Sequence, residues 1–340
     1  MIQRVGKGTV IFDQRPVITG SSGVAGKKEG KGPLGQDFDA IYQDTKMGQE
    51  SWEQAESAML HDCLIRTLSN AGKSPSDCDL VICGDLLDQC TGSAFALRDL
   101  NIPFIGMYGA CSTMGLTIAT GSTLVAGGGA QCCLCATSSH FCSSERQFRF
   151  PLEYGGQRPP TAQWTVTGAG SCVIEQQGKG IEIEAVHFGT ITDLGITDAN
   201  NMGAAMAPAA KKTIFDFLKD TNTSPDDFDL ILTGDLGFTG SALMSELMER
   251  EENLEVAYKH QDCGLLIYDL KKQDVNSGGS GCGCGGSVLC SHILKKMRKG
   301  ELRRVMFVAT GALMSPTSSK QGQPIPSIAH GIILNAGEYV

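Results

Sequence analysis

The sequence SPSDCDLVICGDL at residues 74–86 recurs as SPDDFDLILTGDL at residues 224–236, and this repeat decides the fold. A second pair of identical segments, TGSA at 91–94 and at 239–242, follows in the same order. Self-similarity at a nearly fixed distance indicates that one structural plan is used twice. We therefore expect two similar halves, an N-terminal half over residues 1–175 and a C-terminal half over residues 176–340.

Each copy of the repeat predicts a helix followed by a buried strand. Before the first copy, apolar residues recur at helical spacing, namely Trp52, Ala55, Met59, Cys63 and Leu68. A Ser-Pro turn then breaks the chain, and an apolar run that ends in Gly-Asp follows at residues 79–83 and again at 229–233. Since continuous apolar runs are typical of strands covered on both faces, we predict an α/β fold with largely parallel strands. Ligands of such folds bind where the strands end, next to both Gly-Asp turns.

Composition excludes several classes of protein. The chain has 340 residues, a net charge of −9 and no cluster of Lys and Arg large enough for a nucleic-acid interface, so we expect no nucleic-acid partner. The fourteen cysteines lie largely in apolar runs and no secretory signal opens the chain, which predicts reduced thiols and synthesis in the cytoplasm. Cys282 and Cys284 lack a second close pair, so we predict no metal and no cofactor.

The longest segment without Asp, Glu, Lys or Arg covers residues 101–144. Its many Gly, Ser and Thr residues exclude a transmembrane helix, and we expect it at the centre of the core. Within it, IGMYGACSTMG at residues 105–115 places Cys111 at the predicted start of a buried helix. The positive end of a helix dipole favours the thiolate form of such a cysteine. Two interpretations stay open: Cys111 is a nucleophile or ligand contact, or it is a small buried apolar residue.

The two halves and the GACS motif at 109–112 resemble the thiolase fold, in particular condensing enzymes of the ketoacyl-synthase type. That resemblance implies five αβαβα layers and a homodimer. A more specific resemblance, to the stage V sporulation protein AD family of spore-forming Firmicutes, rests on ERQFRFPLEYGGQRPPTAQWTVT at 145–167, HFGT at 187–190 and DCG at 262–264. The segment 145–167 is an insertion typical of that family.

The resemblance to the sporulation family implies a function. Its members bind dipicolinic acid (pyridine-2,6-dicarboxylate), free or as its calcium chelate, and support its uptake into the developing spore. It also implies a peripheral protein of the spore inner membrane, with other membrane components of the uptake complex as partners. Asp193 and Asp198 lack the spacing of an EF-hand, so we predict no dedicated calcium loop.

The resemblance to condensing enzymes raises the question of catalysis. Such enzymes need a nucleophilic cysteine and two oxyanion donors, a His with an Asn or a second His. Alignment by eye puts Asp235 at the His position and Cys282 at the Asn position. A carboxylate repels an oxyanion, and loss of one donor costs about 10²–10³-fold in rate. We therefore predict a retired active site used for binding. The alternative is an active condensing acyltransferase that uses Cys111 with a partner such as His187.

Six residues are candidates for contact with a dicarboxylate: Cys111, His187, His140, Arg146, Asp235 and Gly311. We expect His187 near Cys111 as a hydrogen-bond donor, and the backbone N–H groups near Gly311 as a carboxylate site. Arg146 suits bidentate binding of a carboxylate, as do Arg149 and Arg158 of the same insertion. The alternative for these arginines is pairing with Glu145, with Glu153 or with a dimer partner.

Overall fold

The computed structural model describes residues 2–148 and 157–337. The strands of this part of the chain are Ile2–Val5 (β1), Thr9–Phe12 (β2), Val17–Gly26 (β3), Ala40–Tyr42 (β4), Leu80–Gly84 (β5), Phe104–Gly106 (β6), Cys132–Ser139 (β7), Trp164–Thr165 (β8), Gly168–Glu175 (β9), Ile181–His187 (β10), Leu230–Thr233 (β11), His260–Asp262 (β12), Gly279–Ser280 (β13), Arg304–Ala312 (β14) and Ser327–Asn335 (β15). Its α-helices are Trp52–Asn70 (α1), Thr91–Leu97 (α2), Thr113–Ala126 (α3), Phe141–Phe148 (α4), Met202–Thr221 (α5), Gly237–Glu252 (α6), Cys263–Leu266 (α7), Cys282–Val288 (α8), Leu294–Arg298 (α9) and Pro316–Lys320 (α10).

The two halves have the same strand order, which confirms the prediction of two similar halves. In the first, the strands run β3-β9-β7-β5-β6, and in the second β10-β15-β14-β11-β12. In both, the first two pairings are antiparallel and the last two are parallel. A short antiparallel contact between β3 and β10 joins the halves. Glu175 is the last residue of β9 and Ile181 the first of β10, so the expected division after residue 175 falls in the turn between them.

Helices and sheets alternate in five layers, as the predicted αβαβα architecture requires. Helices α1 and α2 cover the outer face of the first sheet; α5 covers the outer face of the second, and α6 packs against α5. Helix α3 lies between them and contacts β7 and β9 on one side and β14 and β15 on the other. Helix α8 packs beside α3 against β7 and β9. The site described below is built around the first residues of these two central helices.

The repeated Ser-Pro turn starts the two central parallel strands in the same way. Pro75–Asp77 and Pro225–Asp227 each form one turn of 3₁₀-helix, with proline at a position where its missing N–H is not needed. The side chain of the last aspartate accepts the backbone N–H of the preceding serine at 2.7 Å in both copies. The buried strands β5 and β11 follow and end at the Gly-Asp turn, at Gly84 and at Thr233, so the two Asp residues occupy equivalent places.

Most of the charge-free segment lies at the centre of the molecule, as expected, but residues 103–106 form an exposed edge and residues 127–129 an exposed turn. Every residue of β7 is buried, and α3 is buried over most of its length. Close packing requires glycine in α3, because a Cβ at Gly115 would lie 2.7 Å from the Cβ of Ala309 and one at Gly121 would lie 2.5 Å from the sulfur of Cys135. No helix in residues 2–148 and 157–337 combines the length and the apolar character needed to cross a membrane.

Candidate functional site

Cys111 lies in the turn between β6 and α3, and local geometry fixes it there. Ala110 adopts a left-handed backbone conformation (φ 49°), and the hydroxyl of Ser112 donates to the carbonyl oxygen of Gly109 at 2.6 Å. Strand β14 passes so close to this turn that a Cβ at Gly311 would lie 2.4 Å from the same oxygen. The structure therefore gives Gly311 a packing role beside the turn, and it is the neighbouring Ala312 that lines the cavity at Cys111.

Asp235 follows β11 and reaches the same point from the second half. Its carboxyl group accepts the backbone N–H of Gly281 at 2.9 Å and the hydroxyl of Thr310 at 2.8 Å, and it is hydrogen-bonded to the thiol of Cys111. The side chain is 1% exposed. Burial raises the pKa of Asp235 to about 7, although the three hydrogen bonds oppose this shift. The structure thus brings two of the six candidates, Cys111 and Asp235, into contact.

The thiol of Cys111 is held in its protonated form. Burial raises its pKa well above the ordinary value, and the charge of Asp235 raises it further. A helix dipole stabilises a charge at its terminus by about 0.3–1 kcal/mol at exposed sites and by up to about 2 kcal/mol in favourable partly buried ones. Desolvation of a fully buried group shifts a pKa by up to about 3–5 units, which is a larger effect. The expectation that the helix terminus favours the thiolate is therefore wrong for this chain.

Cys282, at the start of α8, contributes no donor to a bound carbonyl group. Its thiol donates to the backbone carbonyl of Ser138 at 2.9 Å, and the side chain is fully buried beside Leu86 and Cys111. Burial raises its pKa well above the ordinary value. A buried thiol that is already bonded to a backbone oxygen cannot take the place of an amide N–H pointing at substrate. In residues 2–148 and 157–337, no group of three or more His, Cys, Asp and Glu side chains is arranged to hold a metal.

Cys111 lines a small inner cavity that continues into a wider one. The inner cavity has room of about 40 Å³ for the centre of a water molecule, and among the described residues no Lys, Arg or His lines it. The outer cavity has about 320 Å³, and Tyr108, Phe148 and Met314 line both. Two polar groups in the inner wall come from α4: the Ser144 hydroxyl, which is buried and has no hydrogen-bond partner among the described residues, and Glu145. Together the two cavities form a pocket whose narrow end is at Cys111.

Glu145 carries the charge of the inner wall and is already paired. One of its oxygens accepts the hydroxyl of Thr165 at 2.9 Å, and the other lies 2.9 Å from the guanidinium of Arg158. Arg158 also donates to the backbone carbonyl of Gln163 at 2.6 Å. Pairing with Glu145 was one of the alternatives for the arginines of the insertion, and Arg158 adopts it. Arg158 is thus fully engaged by these two partners, and it does not line the cavity at Cys111.

His187 does not lie at this cavity. Its ring Nδ1 is 2.8 Å from the hydroxyl of Thr9, which in turn donates to Asp220 at 2.6 Å. Since that hydroxyl gives its proton to Asp220, it accepts from Nδ1–H of the imidazole. Burial lowers the pKa of His187 and keeps the ring neutral. The expected proximity of His187 to Cys111 does not appear in the structure, because β10 turns this side chain toward β2 and α5.

His140 and Arg146 also point elsewhere. The Nδ1 atom of His140 accepts the N–H of Cys142 at 3.2 Å, so Nε2–H donates to the carbonyl of Thr45 at 2.8 Å, and burial lowers the pKa of the ring. Arg146 forms an ion pair with Glu53, and its guanidinium lies 5.4 Å from the ring centre of Trp52. Arg149 and Glu153 lie outside the described residues.

Several residues of the pocket were not predicted from the sequence. Ser144 and Thr310 carry no motif that separates them from ordinary core residues. Tyr108 lies in the segment quoted at 105–115, and Glu145 and Phe148 lie in the insertion at 145–167, and position in those segments was the only available signal. The repeat itself pointed to Asp235, since the Gly-Asp turn after a parallel strand is where ligands of α/β folds bind.

Comparisons with known proteins agree with this geometry. The family model of stage V sporulation protein AD matches residues 6–335. Stage V sporulation protein AD of Bacillus subtilis (strain 168) is 49% identical over 329 residues, which cover 96% of each chain.

Solved structures of condensing enzymes share the fold. The 3-oxoacyl-[acyl-carrier-protein] synthase III of Aquifex aeolicus superposes with a TM-score of 0.57 at 11% identity, over 94% of this chain and 99% of that one. An OleA variant of Xanthomonas campestris gives a TM-score of 0.60 at 13% identity, over 94% and 99%. These superpositions establish the thiolase-like fold. The sequence identity is too low to decide whether the chain is a catalyst.

Proposed function

Because the chain belongs to the stage V sporulation protein AD family, we propose that it is a ligand-binding protein of the developing spore rather than a condensing enzyme. The proposed ligand is dipicolinate, bound in the pocket that ends at Cys111. The proposed role is support of dipicolinate uptake, as a peripheral protein at the spore inner membrane beside membrane-embedded partners.

One observation carries this proposal: the residue that faces Cys111 is a buried carboxyl group. Acyl transfer to Cys111 needs a thiolate and then hydrogen-bond donors for the oxyanion. Asp235 raises the pKa of the thiol, and when ionised it repels negative charge on a bound acyl oxygen. The pKa of Asp235 is about 7, whereas that of Cys111 lies well above 9, so transfer of the thiol proton to the carboxylate is unfavourable.

The pocket offers dipicolinate a place for its ring and a donor for one carboxylate. The inner cavity is too small for the whole ligand, so we place the ring in the outer cavity, against Tyr108 and Phe148. One carboxylate then points inward to the Ser144 hydroxyl, whose hydrogen-bonding capacity is unused. An unsatisfied buried hydroxyl carries a cost that such a ligand removes.

Asp235 makes this binding depend on pH. Asp235 does not line either cavity, but its carboxyl group is next to Cys111, which does, so ionised Asp235 repels a bound carboxylate across the thiol whereas protonated Asp235 does not. With a pKa of about 7, Asp235 is protonated below neutrality and ionised above it. We therefore expect dipicolinate binding to take up a proton and to weaken as the pH rises through about 7. A calcium ion that enters with the ligand would oppose this trend by neutralising charge.

We also propose a homodimer that forms through strand β6. This strand lies at the edge of the first sheet and pairs with β5 alone among the described strands. Four large apolar or aromatic side chains on and near it are exposed: Phe95, Phe104, Ile105 and Tyr108. An unpaired edge with exposed apolar side chains favours association with a second chain.

Calorimetric titration of the whole protein with dipicolinate tests the proposed function, with benzoate and an acyl-CoA as controls. We expect saturable binding of dipicolinate that Ser144→Ala weakens by about tenfold, as expected for loss of a charge-assisted hydrogen bond. Ser241→Ala is the matched control, because its hydroxyl is also buried and without a partner but lies in α6 and does not line the pocket. Equal affinity of the two variants would contradict the placement of the ligand.

The alternative function, acyl transfer through Cys111, predicts a different result. Cys111 keeps a favoured position for a nucleophile, just before the first residue of a central helix in a condensing-enzyme fold. Formation of an acyl-enzyme on Cys111 from acyl-CoA, without binding of dipicolinate, would establish the enzyme and overturn the proposal.

A further inference from the structure

A second cavity, larger than the inner one, lies on the other side of α4 and β8. It has room of about 260 Å³ for the centres of water molecules and is lined by the end of β3, by β4 and by the start of α4. Residues alternate along β8, so Trp164 faces this cavity while Thr165 faces the cavity at Cys111. We call it the lysine cavity, because Lys27, Lys28 and Lys31 line it.

The three lysines carry charge that no direct ion pair among the described residues compensates. Within residues 2–148 and 157–337 none of them forms an ion pair, whereas Lys73 and Lys211 of the same chain are paired with glutamates at 2.9 and 3.0 Å. The ammonium group of Lys28 lies 3.6 Å from the centre of the Trp164 ring, and it is half-buried. Burial lowers the pKa of Lys28, against the nearby charges of Asp274 and Glu29. A partly desolvated ammonium without an anionic partner gains from binding an anion.

Acidic groups of the lysine cavity do not cancel this charge. Glu29 is buried, accepts the N–H of Thr167 at 3.0 Å and is bonded to the hydroxyl of Tyr268. Burial raises its pKa, which favours the neutral acid. Asp44 is exposed at the rim and accepts the N–H groups of Lys46 and Gly48 at 3.1 and 2.9 Å. Asp44 at the rim and Asp274, whose charge acts on Lys28, therefore offset only part of the charge of the three ammonium groups, in a chain whose net charge is −9.

The remaining wall suits an aromatic ligand. Phe141 and Trp164 stack with ring centres 4.0 Å apart at 14°, and Tyr42 and Met47 add further apolar surface. Ligand sites combine such apolar walls with a few charged groups that fix orientation. Phe141 covers one face of the Trp164 ring and the Lys28 ammonium the other, so a planar ring with carboxylates at its edge can pack against Phe141, Tyr42 and Met47 while its charges face the lysines. Free phosphate would use the lysines but not the wall.

Arg158 connects the two cavities. Its guanidinium lies 4.9 Å from the ring centre of Trp164 and 5.2 Å from that of Phe141, and it pairs with Glu145 in the inner cavity. A charged ligand in the lysine cavity therefore interacts with Arg158, the cation that neutralises Glu145 in the wall next to Cys111.

We propose that the lysine cavity is a second ligand site, which binds an aromatic dicarboxylate through Lys28 and Lys31. The proposal rests on the proposed function only in the choice of dipicolinate as the probe. Together with the pocket at Cys111, the lysine cavity gives the protein two binding sites for one class of ligand, with Arg158 between them.

Fluorescence of Trp164 reports on the lysine cavity directly. The chain has two tryptophans, so Trp52→Phe leaves Trp164 as the sole fluorophore of its kind. This full-length protein is titrated with dipicolinate and with isophthalate, excited at the red edge of the indole band where neither ligand absorbs. We expect a saturable change for both, because the lysines contact carboxylates and do not require the ring nitrogen. Benzoate and inorganic phosphate should bind more weakly, since one lacks the second charge and the other lacks the ring.

Charge variants decide the assignment. Lys28→Gln with Lys31→Gln should weaken the Trp164-detected affinity by about tenfold or more, and the exposed Lys31→Gln alone by a smaller factor. The matched control is Lys7→Gln with Lys299→Gln, which removes the same charge at exposed positions that do not line the cavity. Equal affinity in both double variants overturns the second site. Phosphate that binds as tightly as the dicarboxylates overturns the ligand class.

The same titrations separate this proposal from the proposed function. If the heat of dipicolinate binding depends on Ser144 but not on Lys28 and Lys31, the ligand binds only in the pocket at Cys111. That result overturns the second site. A Trp164 response that depends on the lysines, in a protein whose calorimetric binding does not depend on Ser144, supports the second site and contradicts the first.

Discussion

The thiol of Cys111 is hydrogen-bonded to the carboxyl group of Asp235, and the two residues come from opposite halves of the fold. Both side chains are buried, which raises both pKa values: the thiol stays protonated, whereas the acid ionises as the pH rises through about 7. Where a condensing enzyme needs a thiolate and donors for an oxyanion, this pair offers a protonated thiol and an acid with a pKa of about 7. The rate at which Cys111 is alkylated is the most direct measure of how far Asp235 keeps the thiol protonated.

Cys111 should react slowly with iodoacetamide at neutral pH, and Asp235→Asn should accelerate the reaction by about tenfold for each unit by which the thiol pKa falls. The physical reason is that the variant removes the charge that raises the pKa of the thiol. Labelling is measured by mass spectrometry of individual cysteines. Cys142, which is partly exposed, serves as the internal reference. Rapid labelling of wild-type Cys111 at neutral pH would show that the thiolate is populated.

Asp235 should also make stability depend on pH. Its pKa is about 7 in the folded protein against an ordinary value of 3.8, so the folded state keeps a proton that the unfolded chain loses. This contribution to stability is complete below about 3.8, falls as the pH rises, and is lost above about 7.

The free energy of unfolding of the wild-type protein, measured by urea denaturation, should therefore decrease over this range. Asp235→Asn should reduce the slope by up to about 1.4 kcal/mol per pH unit, which corresponds to one proton. It should not abolish the slope, because Asp262 and Glu56 have raised pKa values of about 6 and about 8 and act in the same direction. The exposed Glu249→Gln is the control. An identical slope in both variants would mean that Asp235 is ionised throughout.

The fold could be predicted from the sequence because the repeat is local information. The Ser-Pro turn, the apolar run and the Gly-Asp turn each specify a short stretch of backbone, and their recurrence fixes the plan of both halves. Burial was likewise expected for the charge-free segment at 101–144, and residues 109–126 and 132–144 are largely buried. These inferences need no knowledge of which distant residues meet.

The site could be predicted only in part, because its character depends on contacts between distant segments. Asp85 and Asp235 are equivalent in the repeat, yet Asp85 is bonded to Ser93 at 2.6 and 2.7 Å, while Asp235 faces Cys111. The protonation of Cys111 follows from burial against Asp235, which no local pattern reveals. His187 was misplaced for the same reason, since its partner Thr9 lies at the other end of the sequence.

Two glycines of α8 provide a test of how the central helix packs. A Cβ at Gly283 would lie 2.3 Å from the backbone oxygen of Gly168, whereas one at Gly285 would meet Phe307 at 3.4 Å, an ordinary contact. Gly283→Ala should therefore destabilise the protein by about 1–3 kcal/mol through overpacking. Gly285→Ala should be neutral or stabilising by up to about 1 kcal/mol, because alanine favours the helix. Urea denaturation measures both, and equal effects would mean that α8 is free to move away from β9.

The exposed edge of the first sheet provides the last test. If two copies of β6 meet, a lysine at Ile105 places a charge in the contact of each chain and brings the two charges close together, since a symmetric interface uses the same residues twice. Ile105→Lys should therefore convert the dimer to a monomer at micromolar concentration, as measured by sedimentation. Ile191→Lys is the matched control, because Ile191 is 65% exposed in the loop after β10, whereas Ile105 is 36% exposed on the edge strand. A dimer that survives Ile105→Lys, or a wild-type monomer, would exclude β6 as the interface. Since Tyr108 lies close to β6 and also lines the pocket at Cys111, loss of the dimer should in addition weaken dipicolinate binding.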